Sequence, residues 1–345
     1  MAAEQIPGFN NTRRGNFLGH DGFVWWVGVV ENRMDPLNLG RCQIRIKGLH
    51  SEQKIFIPTE QLPWSQPLFP INNSFTTPNT LKEGDMVIGF FMDGDQAQYP
   101  IVFGMFHGIP EDAAKPNQGF NDPRTANQLK SAPRTPNQLI YNKNGSGITI
   151  NEKVQASSYP LNLNEPTIDR LARNESINKT IVATKKASVV NGVPTATGGT
   201  WSEPITPYNA KYPYNKVLAT ESGHVTELDD TPGAERTHLY HRNGTFIENH
   251  PNGTQVEKIT KDKYSIIMKD DHVYIMGKCQ VTVQGDAEVF VEKNCYLKTG
   301  GNLDFKIGGN WTTTVAGSVK TTVAGSITQT SGGNTVLKAP AIRLN

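Results

Sequence analysis

The chain has 345 residues, with 34 Lys and Arg against 32 Asp and Glu, so it is close to neutral. That balance offers no basic face to displace counterions from a phosphate backbone, and nucleic acid is not an expected partner. Asn, Thr, Gly and Pro fill the polar share and favour strands and turns over helices. The length corresponds to two or three domains.

The first residues, MAAEQIPGFNNTRRGNF, lack an apolar core, so a cleaved export signal is not expected. No run reaches the roughly 18 apolar residues of a membrane helix. Residues 1–16 read as an N-terminal arm and residues 17–108 as a small barrel. FVWWVGVV is a buried strand, with Trp25 and Trp26 in its core. GRCQIRIKGL alternates Cys42, Ile44 and Ile46 with Arg41, Gln43, Arg45 and Lys47, the pattern of a half-solvated antiparallel strand. ENRMDPLNLG joins the two as a loop. EGDMVIGFFMDGDQAQYPIVFGMFHG supplies two more strands around a DGD turn. About five strands with no helix between them fit a barrel.

Residues 109–215 change character. GIPEDAAKPNQGFNDPRTANQLKSAPRTPNQL is rich in Pro, Asn and Ala and reads as a linker or extended arm. SGITINEK is a short strand, and EPTIDRLARNES a helical turn or two. A polar arm of this length makes sense lying along a partner surface. From residue 216 the chain becomes strand after strand. HVTEL, RTHLY and TFIEN are separated by turns at DDTPG, RNG and PNG.

A strict repeat then takes over residues 277–340. Gly277, Gly285, Gly301, Gly309, Gly317, Gly325 and Gly333 stand eight apart, with Lys293 in the one missing slot. Between them alternate positions are apolar, including Val281, Val289, Leu303, Phe305, Ile307, Val319 and Val323. Each octad reads as a strand of about six residues closed by a turn at glycine, and such a period marks a repeat architecture. One strand and a corner cannot make a core alone. Either one chain winds through three octads per coil, or three chains each supply one side of a common shaft. Eight octads give fewer than three coils in the first arrangement. In the second they give about eight layers, on the order of 40 Å at the usual strand spacing of about 4.8 Å. The layer count favours three chains.

Several sharper chemistries weigh less than plain ones. Glu165, Asp169 and Glu175 form an acid set for glycan cleavage only if a cleft holds two of them at a fixed separation. Carboxylates on a short polar segment are usually solvated. His224, His238, His241, His250 and His272 lack the tight spacing of a zinc site. His238 and His241 fall on opposite faces of a strand, so surface or inter-subunit hydrogen bonding is the expected role. Cys279, Cys295 and Trp311 share one octad slot. The cysteines read as small apolar side chains, with no disulfide framework.

VGVVENRMDPLNLGRCQIRIKGLH, LPWSQPL and GDMVIGFFMDGDQAQYPIVFGMFHG resemble the oligonucleotide/oligosaccharide-binding (OB) domain of the central spike of contractile phage tails. GHVTELDDTPGAERTHLYHRNGTFIENHPNGTQ resembles the start of that spike's triple-stranded β-helix, and the octads resemble its needle. Type VI secretion spikes are similar. The resemblance implies an all-β fold: an N-terminal OB-fold barrel, an extended arm, and a C-terminal intertwined trimeric β-helix needle over residues 216–345. It implies a homotrimer in the virion tail baseplate, made in the host cytoplasm. Hub proteins and the tail tube would lie on the N-terminal side, and the needle would make transient contact with the host outer membrane as it punctures the envelope. No catalytic, cofactor or metal site is expected. Some family members carry a lysozyme domain between barrel and needle, and the intervening stretch here lacks a compact helical pattern. Others end in His-x-His triplets that bind iron; here the last histidine is His272 and the chain ends KAPAIRLN, which points to a separate tip protein. A tail-associated peptidoglycan hydrolase and a monomeric β-solenoid adhesin are the alternatives.

Overall fold

The computed structural model describes residues 23–70, 81–106, 117–120, 139–141, 147–149, 168–169, 171–174, 179–220 and 223–342. The chain divides into two units, residues 1–282 and 283–345. Among the described residues no helix is long and apolar enough to cross a membrane.

Five strands close the barrel: β1 (Trp25–Asn32), β2 (Cys42–Ile46), β3 (Trp64–Pro67), β4 (Met86–Phe91) and β5 (Pro100–Met105), in the order β1-β2-β3-β5-β4. Closure leaves no free edge to pair with strangers. β3 and β5 pair in parallel, and the other neighbours pair antiparallel. β1 carries a bulge between Val30 and Asn32 where it meets β2. Trp26, Val30, Cys42, Ile44, Ile46, Val87, Phe91 and Val102 fill the interior. Trp26 lies opposite Gly89, and a Cβ on Gly89 would come within 2.2 Å of the indole ring and of the Ile101 carbonyl. Only a glycine lets the ring lie flat over β4. Trp25 points the other way and is exposed, so the tryptophan pair divides between core and surface.

The second face of β2 is not solvated as its alternation predicts; all five residues are buried. Arg45 is fully enclosed. Its guanidinium binds both Glu31 oxygens at 2.7 and 3.1 Å and donates to the carbonyls of Ser51 and Ile57 at 2.6 and 2.7 Å. Thr59 donates to the same carboxylate at 2.7 Å. Gln43 donates to the Leu62 carbonyl at 2.9 Å and accepts from Asn32 at 2.8 Å. The loop 51–62 therefore covers a polar layer in which every charge has a partner, the condition under which burial of charge is tolerated.

Beyond the barrel, β6 (Leu139–Tyr141) pairs with β7 (Gly147–Thr149). A helix follows, α1 (Lys179–Ala187), with Lys185 and Lys186 in its last turn, where cations favour the dipole. Next comes a small hairpin, β8 (Val193–Pro194) with β9 (Thr200–Trp201). Five antiparallel strands in sequence order then make a meander: β10 (Asn215–Ala219), β11 (Val225–Asp229), β12 (Arg236–Tyr240), β13 (Phe246–Asn249) and β14 (Gln255–Lys258). The stretch expected to be a polar arm thus contains a helix. Part of it packs on this chain's own sheet through Leu171, Ile181 and Tyr208.

Candidate functional site

In the five-stranded sheet the usual inside and outside are exchanged. One face, covered by α1 and residues 171–172 and 206–210, buries Asn215, Glu227, Asp229, Arg236, His238 and Glu248 beside Val225, Tyr240, Phe246 and Val256. The other face presents Leu218, Leu228, Leu239 and Ile247 to solvent. Leu239 lies opposite Thr226 on one side and Ile247 on the other, so the exposed side chains adjoin across strands.

The covered face is a single ionic network. Glu227, His238 and Glu248 stand in one row across β11, β12 and β13. Arg236 bridges the two carboxylates, 2.5 Å from Glu227 Oε2 and 3.0 Å from Glu248 Oε1. Lys185 reaches down from α1 to Glu248 Oε1 at 2.7 Å and lies 3.2 Å from His238 Nε2. Asn215 and Thr206 donate to Glu227 and Glu248 at 2.8 Å each. Burial pulls the Glu248 carboxyl upward, but the Lys185 charge and hydrogen bond, with Thr206 and Arg236, hold it down at about 2. Burial lowers the His238 imidazole against the pull of Glu227, which favours the neutral ring. Asp169, withdrawn from water and facing Glu227, is pushed up to about 6. Arg236 and Lys185 both bind carboxylates of the network, and such an arrangement fixes a fold rather than a substrate.

Past β14 the backbone turns with a fixed beat. Bends fall at 260–261, 268–269, 276–277 and every eight residues on to 332–333 and 340, with extended chain between them. Gly277, Gly285, Gly301, Gly309, Gly317, Gly325 and Gly333 each close one bend. The beat begins two octads earlier than the glycines reveal, because Lys261 and Lys269 hold the glycine slot, as Lys293 does later. The residue after that slot is Asp, Asn or Ser in every octad except at Lys278, a preference for short side chains that bond to nearby backbone, and one that glycine spacing alone does not expose. These glycines do not occupy the left-handed region, and a Cβ on any of them meets open space within this chain. Local backbone geometry therefore does not demand glycine here.

The slot two residues before each bend-closing position is apolar except at Thr299 and Ser331, with Ile267, Ile275, Val283, Val291, Ile307, Val315 and Val323 each about half exposed. Val281, Val289, Phe305 and Val319 lie on the same odd-numbered side and are more exposed still, and Leu303 there is about half exposed. Among the described residues no octad pairs with another octad of the same chain. The ribbon holds both an unused apolar side and unused backbone groups.

Of the acid set, Glu165 and Glu175 lie outside the described residues, and Asp169 serves the buried network by accepting from the Leu171 amide at 2.7 Å. His238 is enclosed and bonded within the chain, unlike the surface role expected for it, while His241 is exposed and its ring meets that of His224 at 4.5 Å, tilted by 55°. Among the described residues no group of three or more His, Cys, Asp and Glu could hold a metal ion.

The sequence profile of the Gp5 N-terminal OB domain matches residues 48–165. Protein Gp5 of Vibrio phage KVP40 is 39% identical over 289 residues, covering 73% of this chain and 61% of that protein. The chain is thus similar to a phage Gp5 protein along most of its length. The pre-baseplate central spike protein Gp5 of Enterobacteria phage T4 is 41% identical over 112 residues, 29% of this chain and 19% of its own length. Measured on these Gp5 proteins, the similarity spans under two thirds of the Vibrio phage protein and about a fifth of the T4 protein. The Gp5 profile begins at Gly48, after β1 and β2, yet both strands are needed to close the barrel.

Proposed function

We propose that this protein is a structural spike of a contractile phage tail baseplate. Three copies associate through the odd-numbered side of the octads and the leucine face of β10–β13. The single observation that carries this is the pairing of an eight-residue bend with an uncovered apolar side. A lone chain leaves Leu228, Leu239, Val283 and Val315 about half in water, and burying the rest of each contributes on the order of 1 kcal/mol. In a three-chain shaft the extended segments between bends pair with those of the other copies, which satisfies the backbone groups that one chain leaves open. The monomeric solenoid would need octads three apart in one chain to pair, and the backbone offers no such pairing among the described residues. In this setting the octad glycines keep the corner free of a Cβ that would press on a neighbouring chain.

The chemistry is mechanical. Hub and tube proteins adjoin the barrel end, and the needle is driven through the host outer membrane when the tail contracts, with no covalent step. Substituting Leu228→Asp and Leu239→Asp together tests the assembly: charges in the three-chain interior reduce the native mass to one chain, while the near-ultraviolet spectrum of the barrel tryptophans persists. A trimer unaffected by both aspartates contradicts the reading. A turbidity assay on peptidoglycan separates the spike from a hydrolase, since the spike leaves the suspension unchanged and clearing would contradict it.

A further inference from the structure

The octads differ along their length on the even-numbered side. From 302 to 334 that side carries only Asn, Asp, Lys, Gly, Thr, Ala and Ser. In the first two octads it carries Tyr264, Ile266, Met268, Tyr274 and Met276, each at least 80% exposed. If the odd side lines the three-chain interior, these five face outward, and an outward apolar belt of this size requires a cover.

The chain indicates the cover. Thr282 donates from its hydroxyl to the Pro194 carbonyl at 2.7 Å, which fastens the β8–β9 hairpin to the outward side of the third octad. Thr282 occupies the same octad slot as Tyr274 and Ile266, one and two octads earlier. In a three-sided shaft each bend carries the ribbon to the next side, so these three residues face three different sides. A chain's own hairpin, held at Thr282, leaves Tyr274 and Ile266 uncovered. Threefold symmetry puts the hairpins of the other two copies on those two sides, about one and two strand spacings away, roughly 5 and 10 Å. The arm also has apolar residues to offer, since Trp201 and Ile205 are exposed in the single chain.

We infer that the arm around β8–β9 of each copy lies across the outward face of the first octads of the other two copies, seated on Tyr274 of one and Ile266 of the other. This rests on the three-chain reading above and adds to it an exchanged clasp at the top of the shaft. The clasp covers the belt and ties each arm to two neighbours. Below it Phe290 and Tyr296 also stand on the outward side, and from 302 to 334 that side is polar and needs no cover.

The test uses the full chain with Cys279→Ala and Cys295→Ala, changes toward the alanine found in the same slot at Ala287. Thr200→Cys and Tyr274→Cys are added and the protein is oxidised. The expected result is a trimeric native mass, with most chains running as covalent dimers and trimers on a non-reducing denaturing gel and as single chains after reduction. A control pair, Thr200→Cys with Thr314→Cys, stays as single chains. A trimeric native mass with only single chains on the gel overturns the clasp and leaves the three-chain reading standing. A native mass of one chain for the protein without the added cysteines overturns both. Should the cysteine variants fail to assemble, Tyr274→Ser read by hydrogen exchange decides the matter. Amides of residues 190–203 exchange at least tenfold faster than in the Lys306→Ser control if the seat is real, and at the same rate if it is not.

Discussion

Lys185 of α1 places its ammonium 2.7 Å from Glu248 of β13, with both side chains almost entirely withdrawn from water. The lysine also lies 4.0 Å over the Phe246 ring. This one side chain joins a short helix to the sheet that leads into the octads. Lys185→Met leaves Glu248 with Arg236, Thr206 and His250. The expected loss is about 2 kcal/mol, below the 3–5 kcal/mol of a carboxylate stripped of all its partners. Urea unfolding followed by far-ultraviolet dichroism measures it, and an unchanged midpoint would show that α1 is held by its apolar contacts alone.

Acid weakens the same network in two stages. His238 is lowered in the folded state, so its contribution is present above the unfolded value near 6.5 and is lost as pH falls below it. Around it stand Glu227, Lys185 and Arg236, and protonation adds a third positive charge to that group. Glu248 is lowered from 4.5 to about 2, so its contribution, on the order of 2–3 kcal/mol, is present above pH 4.5 and lost between there and about 2. Asp169 acts in the opposite direction. Its folded value is raised to about 6, so its share is greatest below the unfolded value near 4 and is lost as pH rises through 6. Denaturant midpoints from pH 3 to 8 should fall toward acid. His238→Gln should flatten the upper part of that fall, and an identical profile in the variant would contradict the assignment.

Gly89 and Trp26 make the barrel's tightest contact. Gly89→Ala drives a methyl into the indole and the Ile101 carbonyl, and neither can retreat inside a closed sheet. A loss of about 2–4 kcal/mol is expected from the overpacking, read as a lower barrel melting temperature by tryptophan fluorescence.

Gly309→Val probes the octads in a way that a single chain cannot explain. A Cβ at Gly309 meets nothing within 4 Å in this chain, and its backbone is not left-handed. On the three-chain account, any large fall in melting temperature arises from contacts with other copies. A sharp drop is expected, and an unchanged melting curve would count against the octads as the assembling element.

The barrel strands and the octad period were legible because alternation and spacing are local signals. Gln43 and Arg45 misled, since polar residues at every second position announce a solvated face. Here their cover is a loop that supplies carbonyls and Thr59 and has no period of its own, while Glu31 reaches Arg45 from β1. The helix α1 is nine residues with one buried lysine, and its apolar stripe is too short to stand out. The first two octads were hidden by Lys261 and Lys269 in the slot that glycine marks elsewhere. The inversion of the five-stranded sheet was invisible for a related reason: its alternation is regular, but which side is covered depends on α1 and residues from far up the chain.

Sedimentation equilibrium of the intact, folded protein tests the three-chain account most directly. The account predicts a single species of about three times the 38.0 kDa chain mass, unchanged on dilution. A well-folded species at 38.0 kDa would contradict it.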